Sequence, residues 1–131
     1  MNVRTKGHNA ERYFANQLKD WYPFCMTTRQ TSTLLDSCGI DLDNVPFNIQ
    51  IKSGYPKGLN YRKEIDYVLQ NIIAKPYIHE RLNLPTLLIH RHDVGKGKRR
   101  GKLDDMVIMP FEDFMNILKQ VNDNKSKSGV D

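Results

Sequence analysis

Two cysteines, no long apolar run and no internal repeat are the shortages that first narrow this chain. Cys25 and Cys38 stand apart with no CxxC partner, so reduced thiols in a cytoplasmic protein are expected, rather than a disulfide framework or a zinc site. No stretch approaches the roughly 20 apolar residues of a membrane-spanning helix, and Met1 to Ala10 lacks the hydrophobic core of a signal peptide. Membrane and secreted classes are set aside on that reading. With neither a repeat nor a long linker, 131 residues suit one compact domain, too short for a catalytic unit plus a separate recognition domain. That domain is expected over residues 1–121. From Asn122 to Asp131 almost nothing is apolar, and this stretch is expected to be a disordered polar tail.

Positive charge is what the chain has in excess. Lys and Arg number 20 against 15 Asp and Glu, a net charge of +5, and the isoelectric point is near 9.2. Such a surface attracts polyanions and raises the expectation of a nucleic-acid partner.

Hydrophobic spacing supplies the framework. Ala10, Phe14, Leu18 and Trp21 recur at helical intervals after Asn9, a suitable N-cap, and predict a helix over about residues 10 to 21 that ends before Pro23. Glu11, one turn before Phe14 and Ala15, borders its buried face. Phe24 to Thr28 predicts a short strand. After a polar stretch, Gly39 to Leu42 and Pro46 to Lys52 predict two more, joined by a turn at Asp43-Asn44. Within Phe47-Asn48-Ile49-Gln50-Ile51-Lys52 the alternation is strict, which places Gln50 and Lys52 on one face. Ile65, Val68, Leu69, Ile72 and Ile73 form a helical stripe stopped by Pro76. Thr86 to His90 and Met106 to Met109 predict two further strands, with a glycine-containing basic loop between them. Phe111, Phe114, Ile117, Leu118 and Val121 predict a closing helix. The order of elements argues a mixed α/β sandwich.

One set of residues in this frame suits phosphodiester hydrolysis. That reaction needs a divalent cation to polarise the phosphoryl oxygen and acidify water, with another cation near the developing charge. Mg²⁺ is usually held by one or two carboxylates, with phosphate and water completing its shell. Asp41 would bridge the metal, and Glu11 would hold it directly or through water. The Gln50 amide oxygen and the Ile51 carbonyl would complete the shell, while Lys52 orients or activates water and stabilises the phosphorane. Each residue also has a plain structural use. Glu11 suits a helix N-terminus, Asp41 a turn, and Gln50 with Lys52 the solvated face of an edge strand. Their order and shared face favour the joint reading.

Gly7-His8-Asn9-Ala10-Glu11, then Gly39-Ile40-Asp41, then Gln50-Ile51-Lys52-Ser53 resembles the PD-(D/E)XK nucleases, and within them the archaeal and phage Holliday-junction resolvases. The resemblance covers roughly Lys6 to Ser53 and, more loosely, the later elements. It implies a restriction-endonuclease-like α/β fold, a mixed central sheet flanked by helices. It further implies Mg²⁺ or Mn²⁺ as the cofactor, no small-molecule cofactor, a homodimer, four-way-junction DNA as the partner and, for a phage-encoded chain, the bacterial host cytoplasm. Such resolvases also carry an Arg and a hydroxyl residue in the loop before the Asp. Arg29 and Ser32, with Thr31 and Thr33 as alternatives, occupy that stretch here. Ile40 stands where the family name has Pro, and Gln50 replaces the usual Glu or Asp. The second departure removes a negative charge and implies weaker metal affinity.

The remaining basic residues are expected along the DNA. Lys96, Lys98, Arg99, Arg100 and Lys102 suit an arm gripping phosphates, and Lys57, Arg62 and Lys63 extend the same surface. His90 and His92 lack a third ligand and are expected as polar strand-end residues touching phosphate. Of the regularly spaced Tyr55, Tyr61 and Tyr67, at least Tyr67 is expected to pack. Phosphate contacts position without specifying sequence, so structure-selective cutting of a junction is the first reading. A flap or general nuclease of the same fold is the second, and a DNA-binding module whose site has decayed at Gln50 is the third.

Overall fold

A computed structural model describes residues 3–128. In chain order the elements are α1 (Val3–Leu18), β1 (Met26–Thr27), α2 (Thr28–Thr31), α3 (Thr33–Ser37), β2 (Leu42–Asp43), β3 (Asn48–Ser53), α4 (Tyr61–Ile73), a 3₁₀ segment (Pro76–Asn83), β4 (Thr86–Arg91), β5 (Asp105–Ile108) and α5 (Phe111–Ser128). The main sheet has the order β3-β4-β5, parallel between the first pair and antiparallel between the second. A small antiparallel pair, β1 with β2, forms a second sheet. The result is a mixed α/β fold with small sheets flanked by helices.

Both faces of β3 and β4 are covered, whereas Met106 and Val107 leave β5 exposed. Ile49 and Ile51 of β3 with Leu87 and Ile89 of β4 join Ala10, Phe14 and Ala15 of α1 in one core cluster. On the far side, Val68 and Ile72 of α4 cluster with Leu35, Cys38, Ile40 and Ile78. Asn60 caps α4 by accepting from the Lys63 N–H at 3.2 Å, and the helix ends before Pro76, as its stripe predicts. The turn at Asp43-Asn44 is also present. Asn44 sits at φ 63°, where Asn is tolerated, and its amide donates to the Phe24 carbonyl at 3.0 Å.

Several boundaries differ from those expected: the strand over Phe24 to Thr28 shrinks to Met26–Thr27, and the one over Gly39 to Leu42 is instead Leu42–Asp43, because the backbone at Asp41 pairs with Thr28 and Ile49 on two different elements. Helix α1 starts at Val3 and ends at Leu18, and Asn9 lies inside it, accepting from Arg12 Nη2 at 2.7 Å instead of capping. Gly7 costs the helix only about 1 kcal/mol relative to Ala, too little to stop it once Ala10, Phe14 and Ala15 are buried. Trp21 falls beyond the helix and is 73% exposed. The polar stretch before Gly39 contains two short helices, the second capped by Ser32 Oγ, which accepts from the Leu35 N–H at 3.2 Å.

A further difference is at the C-terminal end. The tail expected from Asn122 is helical through Ser128, because a helix already nucleated extends into polar sequence at small cost per residue; residues 129–131 lie outside the described residues. This helix does not close the sandwich. No residue of α5 as far as Lys125 is buried, and Phe111, Phe114, Met115, Leu118 and Val121 expose between 39% and 74% of their surface.

Candidate metal centre

The residues before β2 bring Asp41 to the open edge of β3. The Asp41 N–H donates to the Ile49 carbonyl at 2.7 Å, and its own carbonyl accepts from the Thr28 N–H at 2.9 Å. Thr28 Oγ1 ties down the adjacent Ile40 carbonyl at 2.6 Å. Asp41 Oδ2 then accepts from the Ile51 N–H at 2.7 Å. In a strand, a residue whose N–H faces one edge turns its carbonyl to the same edge, so the Ile51 carbonyl also faces Asp41. Gly39 makes the approach possible. Its φ of 85° is one that glycine adopts without strain, and a Cβ there would press to within 3.0 Å of the Tyr67 ring.

Gln50 and Asn48 share a face of β3 that a solvated edge strand would leave open, yet both are buried, at 3% and 0% exposure. Their hydrogen bonding separates them. Asn48 is satisfied: Nδ2 donates to the Arg81 carbonyl at 2.8 Å and to Thr86 Oγ1 at 3.1 Å, and Oδ1 accepts from Arg81 Nε at 2.8 Å. Gln50 Oε1 is buried with no partner. An unmatched buried acceptor costs about 1–3 kcal/mol and marks a place for a ligand, water or ion.

Electrostatics couple Asp41 to Glu11 and Lys52. Burial pushes the Asp41 carboxyl from 3.8 up to about 7; the Ile51 N–H and the Lys52 charge oppose the rise, and the Glu11 charge adds to it. Burial also raises Glu11 above its ordinary value, against the opposing pull of Arg29. Arg29 Nη2 meets Glu11 Oε1 at 2.5 Å. Lys52 points to the α4 side, with Nζ 3.5 Å from Glu64 Oε2. Glu64 was not singled out in the sequence, and nothing there signals it, because the contact joins two elements rather than two neighbours.

Among the described residues, no group of three or more His, Cys, Asp or Glu side chains is placed to hold a metal ion. The donors expected there, the Glu11 and Asp41 carboxylates, the orphaned amide oxygen of Gln50 and the Ile51 carbonyl, are all oxygens. That all-oxygen set fits a hard cation such as Mg²⁺ or Mn²⁺.

The other expected site residues divide by how firmly they are held. Ser32 Oγ serves as the cap of α3, and Thr31 Oγ1 donates to Asp43 Oδ2 at 2.7 Å. Lys57, Arg62, Lys63, Lys96, Lys98, Arg99 and Lys102 are exposed. Arg100 anchors the base of the basic loop, with Nη1 donating to the His92 carbonyl at 2.6 Å and to Asp105 Oδ1 at 3.5 Å. His90 is buried, with Nε2 2.8 Å from the Gly54 carbonyl and its ring against His92 at 3.8 Å. It fastens the strand end and is too enclosed for the phosphate contact expected of it. Tyr67, expected to pack, is 52% exposed and lays one ring edge against Gly39. No family model, no curated protein and no solved structure matches the chain.

Proposed function

We propose that the chain is a metal-dependent, structure-selective DNA endonuclease of restriction-endonuclease-like architecture that resolves four-way junctions as a homodimer. The observation that carries this reading is the orphaned Gln50 Oε1, buried on β3 one residue before the Ile51 N–H that binds Asp41. Glu11, Asp41, Gln50 Oε1 and the Ile51 carbonyl would hold the cation. When bound, Mg²⁺ or Mn²⁺ supplies Lewis acidity at the scissile phosphate and acidifies water. The chain's own residues do the rest. Lys52 gives up its loose contact with Glu64 and places its ammonium against the charge that develops on phosphorus-bound oxygen. Lys57, Arg62, Lys96, Lys98, Arg99 and Lys102 grip backbone phosphates on either side.

The uncovered face of α5 supports the homodimer. Its five exposed apolar residues fall on one stripe of the helix, which isolated surface hydrophobes would not require. A two-fold pair would carry one site for each of two symmetry-related junction strands. Replacing Phe114 and Leu118 together with Glu should convert a dimer to a monomer in sedimentation velocity; an unchanged sedimentation coefficient would remove α5 as the interface.

Cleavage of a labelled synthetic four-way junction, beside a flap and a linear duplex in Mg²⁺ or Mn²⁺, tests the activity. Paired symmetric nicks confined to the junction, absent in Lys52→Ala, are the expected result. Equal cutting of flap and duplex would make the chain a general nuclease. The neutral amide at Gln50 favours the alternative of a binding module, which predicts tight, steeply salt-dependent binding with no cleavage in any divalent metal.

A further inference from the structure

We infer that Arg29 is an exchangeable counter-ion: it neutralises Glu11 while no metal is bound and moves to a substrate phosphate when the metal takes Glu11, so that metal and DNA bind cooperatively. The inference rests on the proposed nuclease reading and extends it to the order and coupling of binding.

The geometry sets up a competition. Arg29 Nη2 lies 2.5 Å from Glu11 Oε1, so the guanidinium already occupies one of the two oxygens that this carboxylate could offer a cation. Two cations on one largely buried carboxylate repel strongly, because little water lies between them to screen the charges. The two partners differ in freedom. The Glu11 side chain is 12% exposed and belongs to a long packed helix, whereas the Arg29 side chain is 36% exposed. Arg29 is therefore the one that can leave.

The surroundings decide where it goes. The backbone of α2 is pinned through Thr28 to Asp41 and Ile40 and through Thr31 to Asp43, so departure is a rotation of the Arg29 side chain alone. Beside it lies a pocket of about 200 Å³ lined by His8, Arg12, Thr27, Arg29 and Gln30. No carboxylate lines this pocket, and two of its other side chains carry or can carry positive charge. A guanidinium released from Glu11 finds no protein anion there. A backbone phosphate would supply one, in a bidentate geometry that Arg matches. Metal therefore favours the Arg29 position that binds phosphate, and phosphate favours the position that frees Glu11. By linkage each must tighten the other by the same factor.

The test measures Mn²⁺ binding to the free protein by calorimetry in wild type, Arg29→Ala and Arg29→Lys. It also measures four-way-junction binding by fluorescence anisotropy, with EDTA and with Mn²⁺, in a Lys52→Ala background that leaves the DNA intact. Removing the competitor should tighten Mn²⁺ on Arg29→Ala by on the order of tenfold, the scale of one charge-assisted hydrogen bond. The gain in DNA affinity that Mn²⁺ gives the parent should shrink in Arg29→Ala. Arg29→Lys, which keeps the charge and loses the fork, should fall between. Equal Mn²⁺ affinity in wild type and Arg29→Ala overturns the exchange and leaves the metal site standing. No Mn²⁺ binding to any of the three overturns the site reading and the exchange with it. Thermal melts in EDTA check that each variant folds, and the Lys variant keeps the test decisive if the Ala variant does not.

Discussion

Asp41→Asn is expected to melt at a higher temperature than wild type at pH 8 while losing all detectable cleavage. Burial raises the Asp41 carboxyl from 3.8 to about 7, so the folded state holds its proton where the unfolded state has released it. Stability contributed by the protonated form is complete below about pH 4 and is lost as the pH rises through about 7. At about 1.4 kcal/mol for each pH unit of that interval, the ceiling on the loss is about 4 kcal/mol. Asn carries no charge to bury and still offers an oxygen to the Ile51 N–H. Denaturant melts should show the variant ahead of wild type at pH 8, with the gap closing toward pH 4. Saturating Mn²⁺ should stabilise wild type and leave the variant unmoved, since an amide in place of this carboxylate removes the main charge holding the ion. A variant less stable than wild type at pH 8 would mean that the carboxylate is satisfied as it stands. The same proton sets the activity profile: at limiting metal, cleavage should rise through about pH 7 and shift to lower pH as metal is added.

Gln50→Glu should behave in the opposite sense and make folding depend on metal. The Gln50 side chain is buried beside Gly39 and its Oε1 has no partner. A carboxylate placed there, one strand from Asp41, would be an unpaired buried charge, with a cost on the order of 3 kcal/mol in the absence of metal. Bound Mn²⁺ would turn that charge into a ligand, so the variant should bind the ion at least about tenfold more tightly, a gain of roughly 1.4 kcal/mol. The measurement is the difference in melting temperature with and without Mn²⁺. A larger difference in Gln50→Glu than in wild type, with a lower starting point, is expected. Equal metal responses would place Oε1 away from any cation.

Much of the framework was legible because it depends on local periodicity. The alternation through β3 fixed which side chains share a face, and the stripe from Ile65 to Ile72 fixed α4. Local chemistry also placed the Asp43-Asn44 turn. The start of α1 was misread because Asn9 makes an equally good cap or mid-helix acceptor, and only the packing of Ala10 and Phe14 decides between them. Pairings across elements left no trace in the sequence. Glu11 with Arg29 and Lys52 with Glu64 each depend on a chain crossing that no spacing encodes. Nor did the pattern of α5 reveal whether its stripe turns inward, since an apolar face looks the same whether its partner is in the chain or outside it. The raised Asp41 carboxyl and the orphaned Gln50 oxygen follow from burial, which no residue spacing encodes.

The two free thiols mark the layers of the sandwich. Cys25 is enclosed in the cluster on the α1 side of the sheet and Cys38 in the cluster on the α4 side, both fully buried. Each thiol is shut away from solvent while its own cluster is closed. A thiol reagent therefore reads the two sides of the sheet separately, with modification of Cys25 reporting an opening on the α1 side and modification of Cys38 an opening on the α4 side.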